Sequence, residues 1–122
     1  MMNAIYARAA DDESDELIAQ IARCREQAQL QGRYVDAGRI YTDAGSWKLD
    51  NRRIGLRELR ADIDEGEILT VYVDALDRLG RALDVKPMIE GWRKKGVSVV
   101  IVSGLIRNTH QSGARNTKQG EV

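Results

Sequence analysis

Hydrophobic and polar positions follow two alternating rhythms along the chain. Their order predicts strand, helix, strand, helix, strand, helix, strand and a polar tail. Ala4-Ile5-Tyr6-Ala7 is a short strand-like run. Asp11, Asp12, Glu13, Asp15 and Glu16 then open a stretch in which Leu17, Ile21, Cys24 and Ala28 share one stripe, widened by Ile18 and Ala22. Five carboxylates suit the positive end of a helix dipole and Gly32 supplies a stop, so the spacing predicts a helix from Asp11 or Asp12 to Gln31. Tyr34-Val35 and Ile40-Tyr41 flank the turn signal Asp36-Ala37-Gly38, giving an irregular strand over 33–42 and a loop from Thr42 to Arg52. Leu56, Leu59 and Ile63 give a second helix its buried side, closed by Gly66. The β-branched run Ile68–Val73 reads as a central strand covered on both faces. Pro87 fits the first turn of a third helix, with Met88, Ile89 and Trp92 inward and Gly96 at its end, before a second buried strand over Val97–Val102.

This alternation implies right-handed crossovers. The expected fold is α/β and three-layered, a mainly parallel sheet of four to five strands with helices on both faces. Residues 1–104 would form the domain and 105–122, poor in hydrophobic pattern, a flexible polar tail. Sheets of this kind place ligands at the carboxyl ends of their strands.

The length of 122 residues suits one domain, and 43% hydrophobic with 31% charged residues excludes a disordered or collagen-like chain. No apolar run approaches the ~20 residues of a membrane span, and the N-terminus lacks a signal-peptide layout. One cysteine, Cys24, allows no internal disulfide, and together with one histidine it is a poor basis for zinc, so a reducing cytoplasm is expected. No phosphate loop, dinucleotide fingerprint or paired Cys spacing occurs; neither a metal nor a cofactor is expected. Nineteen basic residues against nineteen acidic argue against a dedicated nucleic-acid module, though not against a local basic patch. Cys24 and Trp92 read as core, and His110 as solvated. Trp47, on a loop, is the better candidate for a partner contact.

Arginine is the residue type that stands in suggestive places. Arg8 lies where the first strand should end, Arg53 before the second helix, and Arg78 and Arg81 just after the central strand. Arg78 and Arg81, three apart, would project to one side of a helical segment. Guanidinium forks suit phosphate oxygens and would stabilise a phosphoryl-transfer transition state. The plain alternative is a set of surface arginines paired with the abundant carboxylates.

Tyr6-Ala7-Arg8-Ala9-Ala10-Asp11-Asp12 resembles the opening Tyr-x-Arg-Val-Ser-Thr motif of the serine recombinases, the resolvase/invertase family. Gln20–Arg25 is similar to that family's first-helix segment. Asp43-Ala44-Gly45-Ser46 with Arg53-Ile54-Gly55-Leu56 resembles its Asp-x-Gly-Ser and Arg-Pro-Gly-Leu signals, and Leu76-Asp77-Arg78-Leu79-Gly80-Arg81 its Leu-Asp-Arg-Leu-x-Arg signature. Order and spacing agree from about residue 4 to 104. The resemblance implies DNA strand exchange, in which a serine hydroxyl attacks a DNA phosphate and the 3′-hydroxyl leaves. It also implies that Arg8, Arg53, Arg78 and Arg81 hold phosphate oxygens. Asp77 would orient an arginine or handle a proton, and Gln20 would be an accessory polar group. The implied partners are DNA, bound weakly by this chain alone, and a protein partner or second copy; no membrane is implied.

The pattern breaks at its centre, because the serine position is Ala10, whose methyl group has neither lone pair nor removable proton. Ser14 stands four residues on, about 6 Å along a helix, whereas attack needs atoms within ~3.5 Å. Each nearby acid would repel a phosphate ~8 Å away by roughly 0.5 kcal/mol in water. The chain ends where the family continues into a long helix and a DNA-binding domain, and Arg107, Arg115 and Lys118 against Glu121 leave the tail at +2. Three readings follow: a recombinase catalytic-type domain made cleavage-deficient at Ala10, as a fragment or a variant; a stand-alone interaction or regulatory module that binds a recombinase, another protein or DNA; or an unrelated α/β phosphate-ester binder. The untagged ending Lys118–Val122 favours a complete small protein. A recombinase-like fold without cleavage is the preferred expectation.

Overall fold

The computed structural model describes residues 2–9, 14–45 and 53–103, the side chain of Ser14 excepted. Strands and helices alternate as β1 (Met2–Ala9), α1 (Ser14–Leu30), β2 (Val35–Ala44), α2 (Ile54–Asp64), β3 (Ile68–Val73), a 3-10 turn (Leu76–Arg78), α3 (Ala82–Lys94) and β4 (Ser98–Ile101). The four strands form one sheet in the order β2-β1-β3-β4, and every neighbouring pair is parallel. The chain thus adopts the expected three-layer α/β fold.

The period of two along each strand sorts the core onto two faces. Ala4, Tyr6, Val71, Val73 and Val99 meet Leu56, Leu59 and Ile63 of α2 and Val85, Ile89 and Trp92 of α3. Ile5, Tyr72 and Val100 face the other way, against Cys24 and Ala28 of α1. Helices on both faces explain why the strands are near-continuous apolar runs: Ala4 to Ala7 and Val71 to Val73 are fully buried. Cys24 and Trp92 belong to this core, as their spacing predicted. Gly55 lets α2 approach β2, since a Cβ there would collide with the carbonyl of Thr42.

Two boundaries differ from expectation. β2 runs on through Thr42, Asp43 and Ala44, which had read as loop, because Ala7, Arg8 and Ala9 of β1 pair with them in register. α3 begins at Ala82, so Pro87 lies inside the helix and not in its first turn. The amides of Asp84 and Val85 bond back to the Arg81 carbonyl and start the helix there. Pro87 forgoes the bond to the Leu83 carbonyl, a loss that water can offset because both residues are exposed. The expectations placed on Ala10, Asp11–Glu13, Trp47, His110 and 105–122 lie outside the described residues. Among the described residues, no helix is long and apolar enough to cross a membrane.

Candidate active site

β1 carries Arg8 to the carboxyl end of the sheet, on the face of Ala4 and Tyr6. Arg8 is buried, and its Nη2 donates to the Gly45 carbonyl at 2.7 Å. Pairing with β3 stops at Tyr6, so the backbone of Arg8 needs another partner on that flank. Gln20 of α1, fully buried, supplies it. Its Oε1 accepts from the Arg8 N–H at 3.1 Å and its Nε2 donates to the Arg8 carbonyl at 2.8 Å. Gln20 therefore acts through Arg8, fixing the height at which that guanidinium stands.

Arg53 precedes α2 in a left-handed conformation, φ 48 and ψ 60, which is costly for a residue with a Cβ. Its side chain holds it there. Nη2 donates to the Tyr6 hydroxyl and to the Arg78 carbonyl, both at 2.8 Å, and Nη1 donates to the Leu79 carbonyl at 2.5 Å. The guanidinium carbon also stands 5.5 Å from the centre of the Tyr6 ring. Tyr6 in turn donates to Asp43 Oδ2 at 2.7 Å. The Asp43 carboxylate accepts from the N–H groups of Gly55 at 2.7 Å and Leu56 at 3.0 Å, so it caps α2 from the neighbouring strand. Burial, then the bond to Asp43, pushes the Tyr6 hydroxyl well above its ordinary pKa. Burial lowers that of Arg53, and the charge of Arg8 adds to the lowering.

Arg78 ends the 3-10 turn and lies nearer to water. Its Nη2 stands 3.6 Å from Glu16 Oε2, and its buried Nε has no hydrogen-bond partner among the described residues. The same Glu16 oxygen accepts from Gln20 Nε2 at 3.1 Å and from Arg23 Nη2 at 3.3 Å. Arg23 is itself forked onto Asp74, with bonds of 2.8 and 3.0 Å, and the bond to Asp74 raises its pKa. One polar network therefore runs from Arg8 through Gln20 and Glu16 to Arg78, and Arg53 grips the carbonyl of Arg78 from the other side.

Asp77 and Arg81 stand apart from this network. The Asp77 side chain is 80% exposed, and among the described residues its one ion pair is with Arg78 Nε, at 3.9 Å. Arg81 caps α3 in extended backbone and is exposed while Arg78 ends the 3-10 turn, so the two do not lie on one helix, the condition under which their spacing would put them on one side. Leu79 between them is fully buried, and Arg53 takes two carbonyls of this segment, which turns the chain inward before α3 starts. Position 10, Ala10, follows directly on the last residue of β1. Sequence reasoning gave Asp74 no role, placed Tyr6, Asp43 and Arg23 only within motifs, and took Glu16 as one of five acids at a helix start. Tyr6 could have been found, since it lies two residues before Arg8 and hence on the same face. Elsewhere, the carboxylates of Asp62, Glu65 and Glu67 lie within 4.8 Å of one another, but Arg39 already pairs with Asp62 and Glu67.

Guanidiniums gathered at the carboxyl end of a parallel sheet form an arrangement suited to a tetrahedral oxyanion. The model of the resolvase N-terminal domain family matches residues 3–117, and the chain belongs to that family. It is a serine-recombinase-like domain, of a kind associated with DNA recombination. The catalytic domain of ISC1926 TnpA, an IS607-like serine recombinase, is 26% identical with a TM-score of 0.74, over 84% of this chain and 70% of that one. The N-terminal catalytic domain of TP901-1 integrase is 29% identical with a TM-score of 0.70, over 84% and 77%. A serine recombinase from Sulfolobus solfataricus is 27% identical with a TM-score of 0.70, over 84% and 68%. No curated protein matches the chain.

Proposed function

We propose that this domain holds a DNA phosphate at the carboxyl end of β1 without cutting the strand. The observation that carries the reading is Ala10, directly after a strand whose Arg8 is buried, anchored on the Gly45 carbonyl and linked through Gln20 and Glu16 to Arg78. In the family reaction the serine oxygen bonds to phosphorus, the bond to the 3′-oxygen breaks and that oxygen leaves with a proton. A methyl group offers no electron pair for the first step. Arg8, Arg53, Arg78 and Arg81 would still neutralise phosphate oxygens, with Gln20 positioning Arg8. Asp77 is assigned the lesser role of biasing Arg78, in keeping with its exposure.

The test is covalent trapping on supercoiled DNA. The protein as it stands gives no protein–DNA adduct and no nicks, while Ala10→Ser, with the arginines intact, restores adduct. An adduct from the unaltered sequence overturns the reading. A second reading, a regulatory module that docks on a recombinase or on a second copy of itself, draws support from one surface. Leu76 and Leu83 are 43% and 90% exposed, and Leu76 lines a groove of about 610 Å³ between the 3-10 turn and α3. Concentration-dependent sedimentation decides whether that surface self-associates.

A further inference from the structure

A second groove, of about 650 Å³, lies on the other side of Gly80, between α2 and the start of α3. Arg57, Arg60 and Arg81 line it together with Leu56 and Met88, and Asp84 is its one carboxylate. Arg53 reaches it too, but that guanidinium is already spent on Tyr6 and on the Arg78 and Leu79 carbonyls. Arg57, Arg60 and Arg81 are exposed, and among the described residues none of them is in an ion pair. Like charges along one cleft repel each other until an anion enters it.

The chain's own charge distribution points to that anion. Acids and bases are equal in number but segregated: residues 11–16 hold five carboxylates and no cation, whereas 52–60 hold four arginines and one glutamate. A neutral molecule with separated charges attracts copies of itself. A copy's acids do not cover its own groove. Asp15 and Glu16 belong to α1, which packs on the opposite face of the sheet from α2 and α3, and no α1 residue lines the groove. Asp15 is exposed, and Ile18, three residues on along the same side of α1, is 64% exposed. We infer that the acidic segment Asp11–Asp15 of one copy docks into the Arg57, Arg60 and Arg81 groove of a second copy, with Ile18 against Leu56 and Met88. All three helices follow parallel strands, so acids and groove both lie towards the carboxyl edge of the sheet. A two-fold axis at that edge lets each copy serve the other and closes the assembly at two. A second copy suits the groove better than nucleic acid does, because it brings an apolar side chain to the floor as well as carboxylates to the rim. The inference does not depend on the phosphate-holding reading, and its surface is distinct from that of Leu76 and Leu83.

The test is sedimentation velocity of the intact chain over a concentration series reaching roughly 500 μM at about 50 mM salt, where charges still act over more than ~10 Å. The intact chain should pass from monomer to dimer, and ~1 M salt, which cuts that reach to about 3 Å, should return it to monomer. R57E/R60E and D11K/D12K should each self-associate at least about tenfold more weakly, since like charges then face each other across the contact. The chain carrying both pairs of reversals regains complementarity and the parent's formal net charge of zero, so it should dimerise as the parent does. That recovery also shows that the altered chains fold. A monomer at every concentration overturns the inference, as does a dimer that survives R57E/R60E or that the doubly reversed chain fails to regain. A dimer lost on Leu83→Ser and kept in R57E/R60E assigns self-association to the other groove and overturns it equally. Labelled duplex DNA that binds the intact chain but not R57E/R60E, with no dimer formed, gives the groove to nucleic acid instead.

Discussion

Arg53 and Arg78 are joined through a single carbonyl, yet they live in different physical regimes. Arg53 spends its guanidinium on a hydroxyl and two backbone carbonyls, over an aromatic ring and in a strained backbone. Arg78 keeps a third of its side chain in water and meets two carboxylates loosely, Glu16 at 3.6 Å and Asp77 at 3.9 Å. The first arrangement builds the site; the second leaves a cation that an incoming anion can claim. Arg8 and Gln20 side with Arg53, whereas the exposed Arg81 sides with Arg78. A cluster that would read as four equivalent phosphate ligands is therefore two tiers, an inner scaffold of committed arginines and an outer set with charge to offer.

The comparison breaks most visibly at Arg53. Arg53→Ala strips partners from Tyr6 and from two carbonyls in a half-buried setting and should cost about 3 kcal/mol of stability, since leaving such groups unpaired is what makes removing one partner expensive. Arg78→Ala should cost under ~1 kcal/mol, the usual worth of a solvated pair. Urea unfolding of both variants reads the difference. Equal losses would mean that the tiers do not exist.

The two tiers also mark how far the sequence could be read. Strand β3 was legible because five of its six residues are apolar or aromatic and five of the six are buried, with Thr70 the one polar side chain other than the Tyr72 hydroxyl. Strand ends and motif order pointed to Arg8, Arg53 and Arg78, which one set of hydrogen bonds and ion pairs links, and to Arg81, which lies outside that set. Their division was not legible, because it depends on partners remote in sequence. Asp43 caps α2 from another strand, Gln20 replaces a missing strand for Arg8, and Arg53 reaches carbonyls twenty-five and twenty-six residues away. Pro87 misled for a local reason. Its missing N–H and its ring both fall against the Leu83 carbonyl, and because both residues are on the exposed side of α3 that carbonyl is free to turn towards solvent.

Alkaline titration sharpens the contrast at a smaller scale. Tyr6 belongs to the inner tier, and its folded pKa is raised above its unfolded value near 10.0. Above that pH the unfolded chain releases a proton the folded chain keeps, so the unfolded state binds fewer protons and stability falls as pH rises. The contribution is whole below about pH 10 and is lost above it at up to ~1.4 kcal/mol per pH unit. Cys24, pushed up to about 12 by burial, adds a slope of the same sign from about pH 9, so the comparison belongs in a Cys24→Ala background. There, Tyr6→Phe should flatten the fall of stability between about pH 10 and 11. The same slope in both proteins would place the Tyr6 hydroxyl in water, outside any inner tier.

The smallest effect tests the outer tier alone. Glu16 puts one carboxylate oxygen against Gln20, Arg23 and Arg78 together, where an anion's oxygen would have to sit to reach Arg78. Arg23 retains Asp74 without it, and Gln20 retains both of its bonds to the Arg8 backbone, so Glu16→Gln should change stability by less than ~0.5 kcal/mol. A phosphate oxygen competing for Arg78 would no longer displace a charge, and it would lose one repulsive neighbour at close range. Duplex DNA should then bind about threefold more tightly at low salt, the advantage shrinking as salt rises. Weaker binding would mean that Glu16 orients Arg78 for the phosphate instead of occupying it, and Arg78 would then belong with the committed inner arginines.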